Sequence, residues 1–151
     1  MMFQTHLAFS FLIGLLFIKY FVPYNQVLFM VLCLFGSLLP DIDHPQSKIG
    51  RRVKVIGMLF EHRGFFHSGF AVAGLIAAFL FLSKPNIYAL GLIIGYASHI
   101  VIDMTTKEGI MLLHPVSKFR IRGIIRTGAS LEHLLFGALL LADAYMLFTL
   151  I

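Results

Sequence analysis

Five apolar segments divide this chain, at about 3–20, 26–40, 65–83, 86–104 and 131–151. Each comes near the roughly 20 residues that cross about 30 Å of hydrocarbon. In lipid a backbone amide has no water to bond, so a spanning segment must satisfy its own polar groups. The runs are long and rich in Leu, Ile, Ala and Phe, which fits helix better than strand. The expected fold is all-α: an integral membrane helical bundle of about five transmembrane helices, one membrane-embedded domain over 1–151. The second segment is short at its uninterrupted core, so it could tilt or be partly re-entrant.

Composition supports this. Of 151 residues, 59% are hydrophobic and 13% charged, with mean hydropathy +0.90; a soluble domain carries roughly 25% charged residues. Trp is absent, so an aromatic belt would rest on Tyr20, Tyr24, Tyr88, Tyr96 and Tyr145. Gly14, Gly36, Gly74, Gly91 and Gly95 are expected to let helices approach closely. The one cysteine, Cys33, excludes an internal disulfide and a cysteine metal cluster, and reads as a packed hydrophobe. No Lys or Arg precedes the first apolar run and no A-x-A-type site follows it, so it is expected to be a retained helix.

The connections are of two kinds. Val22-Pro23-Tyr24-Asn25 and Ser83-Lys84-Pro85-Asn86 are short. The other two are long and basic, one holding Lys48, Arg51, Arg52, Lys54 and Arg63, the other Lys107, Lys118, Arg120, Arg122 and Arg126. With five spans both long loops share a side, and positive loops mark the cytoplasmic face. The N-terminus is then cytoplasmic in a multi-pass inner or plasma membrane protein. This topology, drawn from Lys and Arg alone, brings nearly all the metal-binding residue types to one level.

Those residues are His6; Asp41, Asp43 and His44; His62 and His67; His99 and Asp103; and Glu132 with His133. Ionisable groups in or beside membrane helices are costly and read as functional by default. His99 and Asp103 are four apart, so they share a helix face and can reach one metal; alone, such a pair could equally lock a helix by a hydrogen bond. Asp41 and Asp43 lie between Pro40 and Pro45, where the chain must leave the helix. Ordinary turn residues would also fit there, but a carboxylate at a helix C-terminus opposes the dipole. Spacing leaves open which of Asp41, Asp43 and His44 bind directly. Gly64 lets His62 and His67 turn towards one site, with His67 the better ligand and His62 a candidate for a second metal or a general acid. His6 gains weight from its level. Glu132 and His133 point about 100° apart, so one faces the site, and an unpaired carboxylate at the membrane edge is the costlier to leave idle, so Glu132 is preferred. His114 is a further candidate, and Asp143 reads as a helix–helix hydrogen-bonding group.

Mixed imidazole and carboxylate donors suit zinc, with manganese possible. Such an ion lowers the pKa of water towards ~7 and clamps a phosphoester. One to three ions could be held. Arg51 and Arg63 are candidate phosphate-binding residues. The basic loops lack interleaved aromatics for base stacking, so nucleic acid is not the expected partner.

Leu-Pro-Asp-Ile-Asp-His-Pro at 39–45, His-Arg-Gly-Phe-Phe-His-Ser at 62–68 and Gly-Tyr-Ala-Ser-His-Ile-Val-Ile-Asp-Met at 95–104 resemble the YdjM-like family of inner-membrane proteins, described as metal-dependent hydrolases. Gly50-Arg51, Thr105-Thr106 to Pro115 and Leu131-Glu132 also fit. The family is similar in turn to zinc-dependent phospholipase C and related nucleases. That resemblance implies an all-helical fold and a multi-zinc phosphodiesterase centre, with His6, Asp41, His67, His99 and Asp103 matching in order. The later ligands match less well, since Glu132 stands where a His-x-x-x-Glu pair is expected.

The function expected is a membrane-bound metal-dependent hydrolase acting on a phosphoester of a lipid or other membrane-associated substrate, with phospholipid, prenyl phosphate and nucleotide-linked substrates all open. His6, Asp41, His67, His99 and Asp103 are the expected metal ligands, Asp43, His62 and Glu132 the catalytic residues, and Arg51 and Arg63 the substrate contacts. A metal-ion transporter, or a metal-binding sensor or interaction protein, is the alternative. Transport sites tend to lie near the bilayer midplane, whereas these residues cluster at one interface.

Overall fold

The first helix stops where Val22 turns left-handed, at φ 40°, with its amide bonded back to the carbonyl of Ile18 at 3.0 Å. The chain re-enters helix under an asparagine cap, Asn25 Oδ1 accepting the Leu28 amide at 2.9 Å. Asn86 does the same for Ala89 at 2.8 Å. Each cap satisfies an amide that a helix start leaves unpaired.

The computed structural model describes residues 1–43, 63–82 and 86–150. Among the described residues the elements are α1 (Phe3–Phe21), α2 (Gln26–Gly36), α3 (Gly69–Leu82), α4 (Ile87–Met104) and α5 (Ser130–Leu150). Short 3-10 turns stand at Pro40–Asp43 and Phe65–His67. No strand forms among these residues; two isolated bridges, Thr106 with Ile125 and Ile110 with Ile121, organise the loop after α4.

The chain is thus an all-helical membrane bundle. Among the described residues, four stretches are long and apolar enough to cross a membrane: α1, α2 continued to Asp43, α4 and α5. The third segment is shorter than its apolar run. Its first residues form the 3-10 turn, and α3 itself has 14 residues, about 21 Å of helix. The outer surface is apolar. Only 17% of the α5 span is buried, and Leu134, Leu141 and Phe148 are exposed, as lipid-facing positions are. Tyr20, Tyr24 and Tyr145 are exposed as an aromatic belt requires, but Tyr96 is buried, its hydroxyl donating to the Phe66 carbonyl.

Close approach of α2 and α4 sets the frame. A Cβ at Gly95 would run into the carbonyl of Cys33, and one at Gly36 into the carbonyl of Leu92. Backbones meet here because only hydrogen separates them. Gly14 and Gly91 face the side chains of Met30 and Phe29. Gly74 differs from the expectation: a Cβ there meets nothing within 4 Å, so close packing does not account for it. Cys33 is fully buried beside Ser10 of α1, whose hydroxyl lies 3.3 Å from the Cys33 carbonyl.

Gly95→Val is expected to destabilise the detergent-solubilised protein by about 1–3 kcal/mol, the usual cost of overpacking. Gly74→Ala is expected to leave the thermal midpoint unchanged or slightly raised. Equal losses in both, by thermal denaturation followed by circular dichroism, would refute this account of the α2–α4 contact.

Candidate metal centre

Helix ends that alternate in sequence meet at one end of the bundle. α1 brings His6, the turn after α2 brings Asp41 and Asp43, the turn before α3 brings His67, and the last turns of α4 bring His99 and Asp103. His67 and His99 are fully buried, His6 and Asp103 nearly so.

His99 Nδ1 lies 2.6 Å from the carbonyl oxygen of Ser37. A carbonyl only accepts, so Nδ1 carries the proton, and the lone pair of the neutral ring is on Nε2. That Nε2 is buried and makes no hydrogen bond among the described residues. It stands 3.7 Å from Asp41 Oδ1 and 3.7 Å from Asp103 Oδ2. His67 is held likewise: Nδ1 is 3.2 Å from Asp43 Oδ2, while Nε2 is 4.0 Å from Asp41 Oδ1 and 3.7 Å from Asp103 Oδ2. Two imidazole nitrogens therefore face two carboxylate oxygens. Donors around a tetrahedral ion with bonds of roughly 2.0–2.2 Å stand about 3.4 Å apart, so the spacing of Asp41 from His67 and His99 fits an ion held by those three after a small contraction.

The second oxygen of Asp103 looks elsewhere. Oδ1 is 3.4 Å from His6 Nε2 and 3.0 Å from the amino nitrogen of Met1. The His6 ring stacks on His99 with centroids 3.8 Å apart and planes 7° from parallel. Two overlapping groups, His6/His99/Asp103 and Asp41/His67/His99, could each hold a metal ion. His6 Nδ1 is a second buried ring nitrogen without a hydrogen bond among the described residues. Orphaned buried nitrogens are costly in a folded protein unless an ion or water completes them. The donors are nitrogen and oxygen alone, which suits zinc or manganese.

The other candidates fall around this cluster. Asp43 is fully buried, and its Oδ2 accepts from the Arg63 amide at 3.3 Å and meets His67 Nδ1. It stands behind His67, in the position of a carboxylate that orients a metal-binding histidine. Both oxygens of Glu132 take backbone amides, Met2 at 2.6 Å and Gly128 at 2.6 Å, so its buried charge ties α5 to the start of α1. His133 is exposed and bonds the Ala129 carbonyl of its own helix. Arg63 reaches the rim: Nη2 is 3.5 Å from Asp103 Oδ2, while Nη1 donates to Thr106 Oγ1 at 3.1 Å and the Gly109 carbonyl at 3.3 Å. His114 joins no donor group among the described residues. Asp143 is buried far along α5, with Oδ1 lacking a hydrogen bond among those residues. His44, Arg51 and His62 lie outside the described residues.

Two supports went unnoticed in the sequence. The Ser37 carbonyl has no side-chain signature. Buried Thr106 donates to the Asp103 carbonyl at 2.8 Å and accepts from Arg63 and from the Gly109 amide, linking the loop to the site; its place three residues after Asp103 was the available clue.

With this geometry, comparison with known proteins decides the family. Residues 1–150 match the model of the YdjM inner membrane protein family. The chain belongs to that family. It is 38% identical over 139 residues to the "Uncharacterized protein YvsG" of Bacillus subtilis (strain 168), covering 87% of this chain and 85% of that one. It is 39% identical over 125 residues to the "Inner membrane protein YdjM" of Escherichia coli (strain K12) and, equally, of Shigella flexneri, covering 75% of this chain and 63% of each relative. The matched region thus spans less than two thirds of those two proteins. No solved structure matches the chain. As a member of the YdjM family with several apolar helices, the chain is a multi-pass inner-membrane protein.

Asp43→Ala is expected to weaken metal binding roughly 10–100-fold, the usual effect of losing a carboxylate that orients a ligand, and His99→Ala/Asp103→Ala to abolish it. Metal content of detergent-purified protein by mass spectrometry, together with zinc titration, checks both. Unchanged affinity in Asp43→Ala would deny Asp43 this role.

Proposed function

We propose that this chain is a membrane-bound metal-dependent hydrolase acting on the phosphoester of a lipid, a phospholipid or prenyl phosphate. The observation that carries the reading is the buried meeting of His67 Nε2 and His99 Nε2 with Asp41 Oδ1 and Asp103 Oδ2 at one end of a membrane bundle. Asp41, His67, His99 and Asp103 would hold the first ion, and His6 with the other oxygen of Asp103 would extend the centre. Zinc is the ion this donor set favours, with manganese next. The ion supplies an activated water and a Lewis acid for the phosphoryl oxygens.

The remaining work falls to the chain. Ser37 and Asp43 fix the two imidazoles with their Nε2 lone pairs inward. Asp41, with 24% of its side chain exposed, is the cluster member water reaches most readily and takes the proton of the attacking water. Water adds to phosphorus, the ester oxygen leaves and receives the proton that Asp41 took from the water, and a free alcohol and a phosphate result. Arg63 sets a positive charge at the rim and steadies the phosphate beside Asp103. The exposed Lys107, Lys118, Arg122 and Arg126 at this end favour its lying on the cytoplasmic side, with the N-terminus also there.

A metal-ion transporter is the rival, and buried Asp143 is what favours it. Proteoliposomes separate the two. With zinc supplied, wild-type protein is expected to release phosphate or a phospho-alcohol from phospholipid or prenyl phosphate, and His99→Ala/Asp103→Ala to fall to background. Metal uptake without hydrolysis of any phospholipid or prenyl phosphate would decide for transport.

A further inference from the structure

An apolar groove of about 320 Å³ is lined by residues that neighbour the donors in sequence. Leu39 and Ile42 line it from the turn after α2, Phe70 and Gly74 from α3, and Phe66 and Tyr96 complete it. The same short segments carry the donors. Ile42 stands between Asp41 and Asp43, Phe66 precedes His67, and Tyr96, one turn before His99, bonds the Phe66 carbonyl. No charged side chain lines the groove among the described residues.

Gly74 gives the groove its width. Glycine weakens a helix relative to alanine, and no neighbour demands it here, because an added Cβ meets nothing within 4 Å. A larger cavity of about 520 Å³, touched by Phe17, Phe21 and Leu80, lies at the opposite end of α1 from His6 and has no such link to the donors.

An apolar groove on a membrane bundle is filled from the surrounding lipid, because a void forfeits dispersion contacts on one side. Ligand pockets run roughly 300–1,000 Å³, so this one has room for a single chain. We infer that the groove holds one hydrocarbon chain of the lipid whose phosphate lies at the Asp41–His67–His99–Asp103 cluster. This rests on the lipid-phosphoester reading and adds the binding site of the apolar tail, which selects lipids over water-soluble phosphoesters.

Photo-cross-linking tests it. The full chain is reconstituted with zinc in phosphatidylcholine vesicles. A trace of farnesyl phosphonate, whose P–C bond is not hydrolysed, carrying a mid-chain diazirine is added, or in a parallel arm the same chain as the free alcohol. Adducts are mapped by mass spectrometry, and metal content is measured on the same samples. The phosphonate probe is expected to label the 39–42 and 70–75 peptides several-fold more than the alcohol does. Gly74→Phe is expected to cut that labelling several-fold at unchanged metal content, with Gly74→Leu as a milder version should Phe impair folding. Gly137→Phe, also at a position with open space around it, is expected to leave labelling intact. With metal bound, equal labelling by alcohol and phosphonate, or labelling untouched by both Gly74 substitutions, overturns the inference alone. A wild-type protein that takes up no metal overturns the hydrolase reading and this inference with it.

Discussion

A carboxylate buried at the end of a membrane helix has to be compensated, and Asp103 draws its compensation from separate parts of the chain. His6 and the Met1 amino group meet one oxygen; Arg63 meets the other, which also faces the Nε2 atoms of His67 and His99 across the candidate metal site. The desolvation cost of such a charge is several kcal/mol without partners. It therefore works as an organiser: α1 and Arg63 must both arrive for the charge to be satisfied. The loop after α4 joins through Thr106, which holds the Asp103 carbonyl on one side and Arg63 on the other.

The surroundings let this polar knot exist in an apolar chain. Backbone-to-backbone contact of α2 and α4 at Gly36 and Gly95 brings the end of α2 over the end of α4. Only then does Ser37, the residue that caps α2, have its carbonyl within reach of His99. A helix C-terminus always leaves carbonyls without intrahelical partners. Here one is satisfied by an imidazole, and in the same bond the tautomer is set.

Much of this was legible in the sequence, and what was not has physical reasons. Hydropathy marks α1, α4 and α5 to within about one residue at each end. It overstates α3, because Phe65 and Phe66 are apolar yet sit in a 3-10 turn. The spacing of His99 and Asp103 announced a shared face, and the cost of an idle carboxylate separated buried Glu132 from exposed His133. The division between Asp41 and Asp43 was not legible. In a 3-10 turn, with three residues per turn, residues two apart point to different sides, so one aspartate faces both imidazole Nε2 atoms and the other stands behind His67. Glu132 was expected to face the site, yet its oxygens take the Met2 and Gly128 amides, and such backbone partners leave no trace in residue type. The open space beside Gly74 was hidden in the same way, because glycine reads alike whether it admits a neighbouring helix or leaves a gap.

The α2–α4 contact also fixes which changes the donor set can absorb. Where backbones touch, a helix cannot slide: one residue of slip moves a side chain about 1.5 Å along the axis and turns it by about 100°. His99 and Asp103 are indexed by that contact as teeth on a gear are by the shaft. Asp41 and His67 sit on single turns instead, where a residue can shift without dragging a helix. The centre is thus half keyed and half adjustable. Adaptation to a different ion radius would fall on the turns, while α4 serves as the fixed reference against which the other donors are aligned.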